Sequence, residues 1–121
     1  MKRLCGISIL TAALSLSPSL ARAEHLFAFC YDIVPHGNHT TYVFSKVFPY
    51  EGTFESMKSD NDRIRPQFDS FVVSNYAPTG RTGPACRMNL DEEAGANASR
   101  DEQVKIFSGS GDVVMSDWSP N

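Results

Sequence analysis

The hydrophobic positions of this chain alternate, then follow a helical stripe, then alternate again. Leu26 to Ile33 (LFAFCYDI) is aromatic and β-branched at most positions, the composition of a strand. Alternation puts Leu26, Ala28, Cys30 and Asp32 on one face and Phe27, Phe29, Tyr31 and Ile33 on the other. The second set is the more apolar, so Cys30 is expected on the less greasy face or near an edge. Pro35 to Asn38 (PHGN) has turn chemistry, and Thr41 to Phe48 (TYVFSKVF) alternates again. A hairpin across Pro35–Thr40 follows.

Pro49 to Asp62 is polar and broken by Pro49, Gly52 and Ser59-Asp60-Asn61-Asp62, which predicts a long surface loop. Pro66 suits the first turn of a helix. Phe68, Phe71, Val72 and Tyr76 follow at i, i+3, i+4 and i+8, an amphipathic stripe. Ala77 to Pro84 is loop, and Ala85 to Leu90 is a short strand. Asp91 offers an N-cap, with Glu92 and Glu93 placed to favour the helix dipole. Ala94, Ala98, Val104 and Phe107 line a second helix, which Ser108 to Gly111 ends. Asp112 to Trp118 (DVVMSDW) closes the chain as a strand. The order β-β-α-β-α-β reads as an α+β domain: a mostly antiparallel sheet with two helices packed on one face.

The first twenty-three residues change how the cysteines are read. Lys2 and Arg3 precede an uncharged apolar run, Leu4 to Leu16, and Ala21-Arg22-Ala23 supplies a small–x–small cleavage pattern. The run is too short to span a bilayer. Residues 1–23 therefore read as a signal peptide and 24–121 as one periplasmic or extracellular domain of 98 residues. Cys5 lies at the start of the apolar run, not after it, and is not placed for lipid attachment. Its removal leaves Cys30 and Cys86, one possible pair, in an oxidising compartment.

Charge shifts as well. The whole chain carries 11 basic and 14 acidic side chains, and loss of Lys2, Arg3 and Arg22 moves the net from −3 to −6. An acidic surface disfavours nucleic acid and anionic lipid. No second apolar stretch is long enough for a transmembrane segment.

Candidate chemistry is sparse. His36-Gly37-Asn38-His39 places two imidazoles on one turn with Asp32 four residues upstream, a candidate metal set. His25 lies a strand length away, roughly 25–35 Å if extended. No Gly-x-Ser-x-Gly elbow, phosphate-binding loop or Cys-x-x-Cys pair is present. Tyr50, Phe54 and Trp118 are the aromatic residues that would form a binding surface if exposed and would cover the core if not.

Phe29-Cys30-Tyr31, Thr41 to Phe48, Cys86, Ala98 with Arg100-Asp101, Val113-Val114 and Asp117-Trp118-Ser119-Pro120 together resemble small uncharacterised secreted domains of Gram-negative, alphaproteobacterial type. That resemblance implies no activity, cofactor or catalytic residue. The expectation is a non-enzymatic periplasmic or secreted domain that binds a protein or cell-envelope glycan and needs no cofactor. The alternatives are a metal-binding protein using His36 and His39, or a small hydrolase without a recognisable motif.

Overall fold

One long strand organises the molecule. In the computed structural model, which describes residues 24–121, β1 runs from Glu24 to His36. β2 (His39–Phe44) pairs antiparallel with its second half, and β3 (Phe48–Gly52) with its first half. β4 (Gly83–Leu90) pairs antiparallel along the other edge of β1, and β5 (Asp112–Met115) runs parallel to β2. Helix α1 spans Met57–Tyr76 and α2 spans Glu93–Phe107. The α+β class and mostly antiparallel sheet are as the sequence predicts, and the signal peptide read from residues 1–23 lies outside the described residues.

Cys30 and Cys86 sit directly opposite each other on β1 and β4 and form a disulfide, with Cα atoms 4.0 Å apart. The bond closes a sequence separation of 56 residues. By loop-closure entropy this constrains the unfolded chain by about 4 kcal/mol.

β2 and β3 form a single lane interrupted by a bulge. Tyr31 faces Phe44 and Ala28 faces Phe48, so Ser45, Lys46 and Val47 oppose only Phe29 and Cys30. Ser45 repairs the ladder there. Its Oγ accepts the Cys30 N–H at 2.8 Å, and its own N–H donates to the Cys30 carbonyl at 2.8 Å. The extra residue flips the parity: Phe44 shares the face of Tyr31, while Phe48 shares the face of Ala28. The strand predicted through Phe48 therefore stops at Phe44. Part of the predicted loop is strand instead, with Phe48, Tyr50 and Gly52 inward and Pro49 and Glu51 outward. Pro49 hid that alternation.

α1 begins nine residues before the predicted start, and Pro66 lies in its interior. Ile64, Phe68 and Val72 form the buried stripe at i, i+4 and i+8. Pro66 removes one ladder donor but points its ring outward, and packing of the stripe outweighs that loss. The start is built by a local turn: the Thr53 N–H donates to Ser56 Oγ at 2.8 Å, and Ser56 Oγ donates to Asp60 Oδ2 at 2.7 Å. In α2 the N-cap is Glu92, not Asp91, and the inward positions are Ala96, Val104 and Phe107. Ala94 and Ala98 are exposed.

The helices are divided between the two faces of the sheet. Ile64, Phe68 and Val72 of α1 pack with Leu26, Ala28, Cys30, Val34, Val43, Phe48 and Tyr50. Phe107 of α2 lies on Tyr42, Tyr31 and Phe44, with ring centroids 4.4, 5.2 and 6.1 Å away. Those side chains belong to the opposite set of alternating positions. β1 is thus buried on both faces, which explains why Cys30 is fully buried on a central strand rather than near an edge.

Candidate functional site

The residues singled out by sequence fall into three separate places. At the first, the β1–β2 hairpin closes with His36 opposite His39, and their ring centroids are 5.7 Å apart. Gly37 has φ +60°, a backbone position open to glycine at no steric cost. The tip is stapled to the segment after α1: the Gly37 N–H donates to Thr79 Oγ1 at 2.8 Å, and the Thr79 N–H donates to the Pro35 carbonyl at 2.9 Å. Asp32 does not join this pair. It lies four residues down the strand, about 13 Å away, beneath α1. His25 is at the opposite end of β1. Among the described residues no group of three or more His, Cys, Asp or Glu side chains converges.

The second place was not evident in the sequence. Asp32 is 0% exposed, and neither of its carboxyl oxygens has a hydrogen-bond partner of good geometry. Desolvation comes first, and with the neighbouring Asp69 carboxyl it pushes the Asp32 pKa from 3.8 up to about 8. The backbone N–H groups of Gly83 and Ile33 oppose that rise without cancelling it. Asp32 is therefore protonated at neutral pH. Asp69, from α1, accepts a 2.6 Å hydrogen bond from Thr82 Oγ1 just before β4. Two carboxyls and a hydroxyl thus link β1, α1 and the β4 approach. Asp32 is fully buried, so its oxygens do not meet solvent. Sequence spacing could not reveal it, because the two aspartates are 37 positions apart.

The third group is aromatic. Tyr50 is core: its hydroxyl accepts the Asn89 N–H at 2.9 Å. Burial, with the charge of Asp60 adding to it, raises its phenol pKa. Trp118 lies beyond β5 and packs on Phe68, Phe48 and Phe71 at 5.0, 6.0 and 6.4 Å. Phe54 alone is open, at 70% exposure. Of the open aliphatic side chains, Val73 is 47% exposed on α1, and the other three lie on the α2 side. Ile33 and Met115 are 40% and 48% exposed on the sheet face that carries Tyr42, and Ile106 is 58% exposed on the helix turn beside Phe107. No helix among the described residues is long and apolar enough to cross a membrane. No protein-family model matches the chain, and no curated protein or solved structure matches it.

Proposed function

We propose that this chain is a non-enzymatic, exported domain, periplasmic or extracellular, that binds another protein through the α2 side of its sheet. The observation that carries this reading is the apolar rim of Ile33, Met115 and Ile106 around the Phe107–Tyr42 stack. Scattered single apolar residues on a surface mean little, but three flanking one aromatic stack supply the centre of a protein contact. The Cys30–Cys86 disulfide supports an oxidising compartment. A cell-envelope glycan is the weaker occupant of such a surface. Sugar rings favour open aromatic platforms, and Tyr50 and Trp118 are committed to packing, which leaves Phe54 as a single open ring.

The test compares the purified protein with a Met115→Lys/Ile106→Lys variant in cross-linking to envelope proteins and in co-sedimentation with peptidoglycan. The expected result is a protein partner cross-linked by the parent chain and lost in the double variant. Co-sedimentation with peptidoglycan unaffected by the double variant, with no specific protein cross-link, overturns the reading.

A further inference from the structure

We propose that His36 and His39 form a two-imidazole chelate for a borderline-soft divalent cation such as Zn2+, Ni2+ or Cu2+, a site separate from the protein-binding surface. The pairing is direct: the two residues are register partners at the closing position of the hairpin. The geometry fits a shared ion. With metal–nitrogen bonds of about 2.0–2.1 Å, each ring centroid lies about 3.2 Å from the ion, so two centroids at a tetrahedral angle are about 5.2 Å apart. The observed separation is 5.7 Å. The rings are stacked with their planes 27° apart, and a shared ion lies in both ring planes, so binding turns both side chains about their χ angles.

The hairpin tip is also held in place. Thr79 fastens it from outside the hairpin through Gly37 and Pro35, so the two strands present both rings from a fixed frame. His39 is exposed and His36 half-buried. Among the described residues neither imidazole takes part in an ion pair. The ligand set selects the ion class. Two neutral nitrogens with no adjacent carboxylate suit Zn2+, Ni2+ and Cu2+, with Cu2+ bound most tightly, and do not suit Ca2+ or Mg2+. Water fills the remaining positions, which leaves an open site of modest affinity.

The experiment is calorimetric titration of the untagged protein with Zn2+, Ni2+ and Cu2+, repeated on His36→Ala, His39→Ala, Asp32→Asn and His25→Ala. Circular dichroism confirms that each variant is folded. The expected result is one ion per chain in the parent and in Asp32→Asn and His25→Ala. Either His36→Ala or His39→Ala should weaken binding by about tenfold or more, since loss of an outer-shell partner alone costs roughly 10–100-fold. A second readout is the Cu2+ paramagnetic resonance spectrum, which should show two coordinating nitrogens in the parent and fewer in His39→Ala. No uptake by the parent at 100-fold excess over protein, or unchanged affinity in folded His39→Ala, overturns the proposal. Loss of Cu2+ binding only in His25→Ala overturns it as well, by placing the ion at the other end of β1.

Discussion

The two faces of the sheet are covered in opposite ways. On the α1 side, ten buried residues, Cys30 of the disulfide among them, form one cluster, and Trp118 seals the flank. Against α2, the roof is the half-buried Val104 and Phe107 and the fully buried Ala96, with the half-buried Arg100 beside them. Arg100 does polar service there: its Nη1 donates to the Ser45 carbonyl at 3.1 Å, at the bulge. A thick roof suits stability and a thin roof suits contact, because the thin one leaves three exposed apolar side chains at its rim, against Val73 alone on α1. Yet the thick face also contains the molecule's most costly group, Asp32. The dense face tolerates that group by keeping it neutral; on the open face water would have solvated it.

The largest expected contrast between the faces comes from truncating one aromatic residue on each helix. Phe68 is fully buried in α1, so Phe68→Ala removes transfer energy and opens a cavity, costing about 3–5 kcal/mol. Phe107 is half-buried in α2 and stacks on Tyr42, so Phe107→Ala should cost about 1–2 kcal/mol. Denaturant unfolding of both oxidised variants at one pH measures the difference. Equal losses would mean that α2 is as firmly seated as α1.

That asymmetry was only partly legible in the sequence. The β1 alternation, the hairpin at Gly37, the helix around Phe68 and the cysteine pair follow from local pattern. The division of the helices between faces does not, although LFAFCYDIV is nearly continuous in apolar residues, as a strand buried on both faces must be. β3 is hidden in the sequence because the bulge at Ser45–Val47 resets the alternation and Pro49 resembles a breaker. The start of α1 is not legible in the Phe68–Tyr76 stripe, because Ile64, one turn earlier, stands alone among polar residues. Of the candidate sites, the His36–His39 pair is adjacent in sequence and was legible. The Asp32–Asp69 pair is made by tertiary packing and was not.

The next effect in size tests that buried pair. Below about pH 4 Asp32 is protonated both folded and unfolded, so its burial carries no titration penalty. Between pH 4 and 8 the unfolded chain releases the proton while the folded chain keeps it, since the folded pKa is raised to about 8. Stability from this group therefore falls as pH rises, by about 1.4 kcal/mol per unit, and levels off above pH 8. The accumulated penalty at pH 7 is of order 4 kcal/mol as an upper bound. Asp32→Asn keeps the shape and a donor toward Asp69 but does not ionise. It should stabilise the protein at pH 7 by about 2–3 kcal/mol and flatten the decline between pH 4 and 8. Stability curves at pH 4, 6 and 8 for parent and variant check this. A parent curve that does not fall more steeply than the variant's would show that Asp32 does not hold a proton.

The smallest effect is expected at Ile106, whose buried counterpart of the same type is Ile64. Ile64 in α1 is fully buried, and Ile106 in α2 is 58% exposed. Ile64→Ala should cost about 2–5 kcal/mol, the range for a core aliphatic residue. Ile106→Ser should change stability by no more than about 0.5 kcal/mol, the range for surface substitutions. Thermal unfolding of Ile106→Ser against the parent measures this directly. A near-zero change means that Ile106 contributes little to folding, so a loss of partner binding on its replacement is a loss of contact rather than of structure. A cost of 2 kcal/mol or more would instead make Ile106 part of the α2 roof, and the apolar rim would shrink to Ile33 and Met115.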